Sequence, residues 1–151
     1  MWIPPSSWDD RTDSPLGVRL HNPGCIRLGV DGWQGQCNRE SHSGFVAFRR
    51  PAYGVRAMFF CLDTYSRLHD VHTTYDVIAR WSPTEDGNPV DDYVEFVCKH
   101  AGCKAKSSWT SGADRRSRSV HRVPLVLAIS AFENAGWLPD AAEILMALRR
   151  C

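Results

Sequence analysis

The stretch Val123-Pro124-Leu125-Val126-Leu127-Ala128-Ile129-Ser130-Ala131-Phe132, running into Glu133, decides how the chain folds. It is apolar nearly all round, and a helix of that kind belongs in the centre of a domain. Pro124 suits its first turn, where a missing N–H costs nothing. With about ten residues the stretch is far short of the roughly 18 apolar residues of a membrane span, and the chain has no run of that length. It ends at Glu133-Asn134-Ala135-Gly136. A last helix over Pro139 to Arg150, with Ile144, Leu145 and Leu148 facing inward, closes the fold.

Upstream of this centre, Lys104 to His121 is polar and rich in Ser, and reads as a flexible, substrate-flanking loop. Its basic cluster, Arg115, Arg116, Arg118, His121 and Arg122, reads as a solvated surface or, alternatively, as a contact for an anionic wall or nucleic acid. Further upstream, Val55, Met58, Phe59, Leu62, Tyr65 and Leu68 recur at three- and four-residue spacing. That predicts an amphipathic helix of about five turns from Pro51. A shorter helix is expected over Tyr75 to Trp81, introduced by Thr73-Thr74 and stopped by Ser82-Pro83. Another runs from Asp91 to His100, with acids at its positive end and Gly102 at its stop. Between Ile26 and Phe48 the apolar residues are short-range and punctuated by Gly29, Gly32, Gly35 and Gly44, which predicts a small, irregular β-hairpin region.

The 151 residues fit one domain, with residues 1–16 as an irregular N-terminal arm. A composition of 43% hydrophobic and 23% charged residues is that of an ordinary globular chain. A formal net charge of +1 excludes binding to nucleic acid or anionic membranes by bulk electrostatics. The first sixteen residues carry Pro4, Pro5, Asp9 and Asp10 and lack the basic-then-apolar order of a signal peptide.

There are six cysteines, an even number that permits pairing. Cys61 falls on an apolar helical face and reads as a buried thiol. Cys25 and Cys37 flank the hairpin and could meet, and Cys98 with Cys103 would form a local disulfide in an oxidising space. Cys98, His100 and Cys103 lie close together, as do His69 and His72. A structural zinc site would show two close-spaced ligand pairs, and the second Cys pair is missing. No metal and no cofactor is expected. No recognised signature surrounds any Cys that would make it a peptidase nucleophile beside His21, His42 or His100.

Glu133 is the sole carboxylate between Asp114 and Asp140, and it terminates the most apolar segment. Burial there would raise its pKa, because a low-dielectric site disfavours the charged form. A carboxylic acid still protonated near neutral pH is what glycoside cleavage requires, since the leaving sugar oxygen must receive a proton. Position alone allows two readings: a catalytic acid, or a side chain reaching solvent at a helix end.

Several strings, in order, carry a resemblance. They are Gly17-Val18-Arg19-Leu20-His21-Asn22-Pro23-Gly24-Cys25-Ile26-Arg27, then Trp33-Gln34-Gly35, then Phe45-Val46-Ala47-Phe48 and Tyr53-Gly54-Val55-Arg56-Ala57. Arg80-Trp81-Ser82-Pro83-Thr84-Glu85 with Tyr93, and finally Phe132-Glu133-Asn134, complete the set. Over roughly residues 17–137 the chain resembles the phage virion and lysis proteins related to structural protein P5, which are similar to lysozyme-like murein hydrolases and lytic transglycosylases.

The resemblance implies an α+β, mainly α-helical, lysozyme-like domain. In those relatives the acid-bearing helix comes first, whereas here it comes last. The order implies a circular permutation in which Asn22 to Ile26 packs beside Glu133. It also implies roles: Glu133 as general acid, Tyr93 approaching it and the scissile sugar, and Asn22, Arg27, Trp33, Tyr53, Trp81, Glu85 and Asn134 as substrate-binding residues. For Tyr93, Trp33, Trp81 and Tyr53 core filling is an equal alternative. Two positions depart from the family pattern: Cys25 stands where it has a second Asn, and Ala135 where it has Gly. Glu85, Asp86, Asp91 and Asp92 offer a second carboxylate, which a hydrolase needs roughly 5–9.5 Å from the acid. A transglycosylase needs none.

The expected activity is therefore that of a peptidoglycan-degrading glycosidase of phage type, a muramidase or lytic transglycosylase acting as a monomer on glycan strands. The resemblance implies a place in a virion beside other virion proteins, or in the host cytoplasm before lysis, with action on the cell wall in the periplasm and no insertion into a membrane. A non-catalytic virion adaptor that keeps the fold, or a murein peptidase, are the alternatives.

Overall fold

Pro51 fixes the first turn of the helix around which the rest is arranged. In the computed structural model, which describes residues 14–29, 32–37, 44–83, 87, 89–109 and 115–149, six helices follow in order. They are α1 (Leu16–Arg19), α2 (Pro51–Leu68), α3 (Thr74–Trp81), α4 (Val90–Ala101), α5 (Arg115–Glu133) and α6 (Ala141–Arg149). The architecture is mainly helical. Among the described residues no helix is long and apolar enough to cross a membrane.

The helices expected from periodicity form where the local chemistry puts them. The 18-residue α2 buries Val55, Met58, Phe59 and Leu62 on one stripe. Thr73 caps α3 by accepting a hydrogen bond from the Asp76 amide, and Ser82 ends it ahead of Pro83. Asp91 and Asp92 lie in the first turn of α4, and Gly102 ends that helix in the left-handed conformation. One core joins α2, α3, α4 and α5, with Ile78, Tyr93, Val97, Val126 and Ile129 at its centre. The apolar stretch ending at Glu133 is thus central, with Leu125, Val126, Ala128 and Ile129 buried.

Three expectations are corrected. First, α5 begins at Arg115, so the second part of the polar stretch 104–121 is helical and Pro124 lies inside the helix. The turn before the proline is anchored by a tertiary contact that local sequence does not announce. Arg122 is buried, pairs with Asp63 of α2 at 2.7 Å and lies 5.4 Å over the Phe59 ring. It is therefore not part of a solvated cluster. Residues 110–114, also in that stretch, fall outside the described residues, as do residues 1–13 of the N-terminal arm.

Second, Leu145 faces out at 57% exposure, while Ala147 is buried and Ile144 and Leu148 are half-buried. The orientation of α6 is set by Glu143, which accepts from the Ala52 amide at 2.9 Å and pairs with Arg50 at 3.1 Å. Two residues on, about 200° round the helix, Leu145 points away from α2.

Third, the hairpin cysteines do not meet. Cys37 packs with Leu20 and Ala47, Cys25 turns elsewhere, and both are free. Cys98 and Cys103 are likewise free, joined by a thiol hydrogen bond. Cys61 is half-buried rather than enclosed. The hairpin region itself consists of isolated antiparallel bridges, Arg27 with Phe45 and Gln36 with Phe48.

The segment 17–26 is pressed between α2 and α5, and two glycines allow this. A Cβ on Gly54 would run into the His21 carbonyl, and one on Gly24 would come 2.7 Å from the Trp81 ring and 2.8 Å from Met58. Burial in this wedge lowers the His21 pKa from 6.5 to about 4, so the imidazole is neutral at ordinary pH.

Candidate functional site

Glu133 is the last residue of α5, so its side chain leaves the core at the helix end and stays half-buried. Tyr93 of α4 reaches it from the core side. The phenol donates to Glu133 Oε1 at 2.9 Å, and the ring stacks on Phe132 with centroids 3.7 Å apart. Cys25, from the 17–26 segment, hydrogen-bonds the same carboxyl. Three parts of the chain distant in sequence thus converge on one carboxyl group. The expected packing of Asn22 to Ile26 beside Glu133 is present, although 111 residues separate Pro23 from Asn134, whose amide donates to the Pro23 carbonyl at 2.8 Å.

These contacts pull the carboxyl in opposite directions. Burial raises the Glu133 pKa above 4.5, while the Tyr93 and Cys25 hydrogen bonds favour the ionised form and partly restore it. The group is held protonated to higher pH than a free glutamate, yet its anion has two donors waiting. Burial and the nearby carboxylate push the Tyr93 phenol well above its usual value and the Cys25 thiol up to about 12. Both remain proton donors at neutral pH. A neutral Cys25 beside a carboxyl is not an activated nucleophile.

Cys25 also sits in the left-handed region at φ 49. Asn tolerates that conformation better than most residues. The Cys25 thiol keeps a polar contact there, with the Glu133 carboxyl.

Glu133 opens into a cavity of about 150 Å³ that it lines with Gly24, Cys25, Arg27, Phe45, Trp81 and Ser82. Gly24, Cys25, Arg27 and Trp81 are shared with a neighbouring cavity of about 280 Å³ that extends to Tyr65, Arg80 and Pro83. Those last three in turn border a broad open hollow of about 810 Å³. The three form a continuous trough with Glu133 near one end. Trp81 forms its shared wall, fixed by donation from its indole N–H to the Gly24 carbonyl at 3.0 Å.

Of the residues singled out from sequence, Glu133, Tyr93, Arg27 and Trp81 come together here. Asn22 and Asn134 do not reach the trough; both are buried and hold backbone. Asn22 donates to the Ile26 and Val46 carbonyls and accepts from the Ile26 amide, all at 2.9 Å. Trp33 and Tyr53 pack instead with Val46, Phe48 and Ala57, Trp33 standing edge-on to Phe60 at 5.8 Å. Glu85 and Asp86 lie outside the described residues, and Asp91 and Asp92 are exposed on the first turn of α4. Sequence reasoning missed Arg80, Phe45 and Ser82 as trough residues. Arg80 stood in a quoted motif, but only folding shows which side of α3 meets the cavity.

The chain is similar to Protein P5 of Pseudoalteromonas phage PM2. Identity is 34% over 93 residues, covering 60% of this chain and 58% of that protein. The chain thus matches a little over half the length of its phage relative. No family model matches.

Proposed function

We propose that the chain is a peptidoglycan-degrading glycosidase of phage type, with Glu133 as general acid. The observation that carries the reading is a raised-pKa carboxyl, held by Tyr93 and Cys25, at the wall of the trough. The phage relative supports it by context alone. The same reading takes the fold as lysozyme-like and circularly permuted, with the acid-bearing helix moved behind the segment that packs against it.

The chemistry follows from the carboxyl. Protonated Glu133 gives its proton to the bridging oxygen as the C1–O bond breaks, and positive charge develops on the ring. The carboxylate left behind is stabilised by the Tyr93 and Cys25 donors. Among the described residues no second carboxylate lines either cavity that holds Cys25, and the transglycosylase course needs none. A hydroxyl of the same sugar attacks C1, the Glu133 carboxylate accepts that hydroxyl's proton, and an internal anhydro ring closes. Glu133 is then acid and base in turn, a double role that suits a carboxyl whose pKa is raised by burial and restrained by two donors.

The test is clearing of a Gram-negative murein suspension by purified protein. Clearing by the parent and none by a folded Glu133→Gln variant is expected. Full clearing by that variant, or none by the parent, contradicts the assignment.

A further inference from the structure

We propose that Cys98 and Cys103 are a dithiol site for reversible exchange with a small-molecule disulfide, and that the bond they form clasps the end of α4 to the segment 103–109. Main-chain geometry sets the pair in place. Gly102 ends α4 in the left-handed conformation, and the Cys98 carbonyl accepts from the amides of both Gly102 and Cys103, the latter at 3.1 Å. The side chains meet across that turn, and their thiols share a hydrogen bond. The Cys103 sulfur lies 3.5 Å from the Thr74 hydroxyl, and Cys103 borders a cavity of about 120 Å³ that leaves it room to turn toward Cys98.

The surroundings favour exchange here over the other described thiols. Cys98 and Cys103 are half-buried, and Lys99, Lys104 and Lys106 beside them are exposed, a setting that draws in an anionic disulfide such as oxidised glutathione. Cys25 and Cys61 hold their protons, because burial pushes both up to about 12, and Cys37 is buried against Leu20 and Ala47. Burial, and then the hydrogen bond to Cys103, push Cys98 up to about 11, which makes Cys98 the donor of the pair and the Cys103 sulfur the first nucleophile. The Cys103 thiolate attacks one glutathione sulfur and expels the other as a thiolate. Cys98 then gives up its proton and attacks the Cys103 sulfur, expelling the second glutathione thiolate. Two protein S–H bonds become one S–S bond, and the two protons and two electrons end on two molecules of reduced glutathione.

The clasp reaches beyond α4. The Ala105 and Ser107 carbonyls accept from the Tyr75 and Thr74 amides at 2.9 and 3.2 Å, and the Trp109 amide donates to the His72 carbonyl at 3.0 Å. The segment thus supplies acceptors to the first turn of α3, whose amides have none within the helix. The disulfide therefore ties α4, which carries Tyr93, to α3, which carries Trp81.

The reduced full chain, incubated with oxidised glutathione and followed by intact mass, peptide mapping and melting, tests this. The expected product is lighter by two hydrogens, with Cys98 linked to Cys103 and no bound glutathione. It should melt about 4–8 °C higher, exchange the Thr74 and Tyr75 amide hydrogens about tenfold more slowly, and revert with dithiothreitol. Cys98→Ser should retain one glutathione on Cys103, and Cys103→Ser should react about tenfold more slowly than the parent. Thiols that stay reduced, stable glutathione on both cysteines, or a link through another cysteine overturns the site. An unchanged melting point with unchanged amide exchange in the linked product overturns the clasp. No step reads glycan cleavage, so failure here is distinct from failure of the glycosidase reading.

Discussion

Two aromatic regions of this molecule look equally promising in sequence and differ in what they do. Around Glu133, Tyr93 and Trp81 bring polar atoms to a carboxyl and a carbonyl beside a cavity. Around Phe48, Trp33 and Tyr53 fill space between the bridge region and α2. The aromatic residue types are alike. What separates the regions is an ionisable group that the fold desolvates and then supplies with donors, which is costly for a fold to keep unless the group is used. Aromatic content marks neither.

The contrast breaks most visibly at Glu133. Replacement by Gln should lower kcat by about 10²–10⁴-fold, the usual share of a general acid, and should not weaken the fold. The folded-state pKa of Glu133 is raised, so its contribution to stability is present below pH 4.5 and lost as pH rises through the folded value. The amide copies the neutral acid and escapes that loss. Thermal melts at stepped pH should therefore show the variant gaining on the parent as pH rises above 4.5, and a variant that falls steadily behind would mean the carboxylate is stabilising.

Tyr93→Phe comes next. It removes one donor to the carboxyl and keeps the ring on Phe132, so kcat should fall roughly ten- to a hundredfold, the value of a hydrogen bond to a charged group. Because that donor restrains the pKa of Glu133, the alkaline limb of the pH–rate profile should move to higher pH. A lower rate with an unmoved limb would make Tyr93 a packing residue only.

The second region should respond in the opposite way. Trp33→Ala should cost about 2–3 kcal/mol of stability, less than a fully buried tryptophan, with kcat per folded molecule within about twofold of the parent. A strong loss of glycan affinity with an unchanged melting point would return Trp33 to the binding surface.

These regions also mark how far the sequence could be read. α2, α3 and α4 were legible because apolar spacing, the Thr73 cap, Pro83 and Gly102 all act locally. The start of α5 was not, because a Ser- and Arg-rich stretch has no pattern of its own and its helix is anchored by the Arg122–Asp63 pair from α2. Leu145 was misplaced for a similar reason, since Glu143 orients α6 through a contact with Ala52. At the site, motif order brought Asn22 to Ile26 to Glu133, and the Cys25 contact lies within that same packing. Arg80 could not be found this way, because a cavity wall is a property of the folded surface.

The smallest effect lies just past the site. Ala135 occupies the left-handed position after α5 at φ 53, where a side chain costs about 1 kcal/mol. Ala135→Gly should raise stability by about that amount in denaturant titration and leave the rate unchanged. A loss of stability would show that the Ala135 methyl group contributes more than its conformation costs.

The central claim is that one carboxyl, acting first as acid and then as base, cuts glycan. Mass spectrometry of the fragments released from purified peptidoglycan tests it most directly. The account predicts glycan fragments with 1,6-anhydro ends from the parent and none from Glu133→Gln; free peptide stems with intact glycan strands would contradict it.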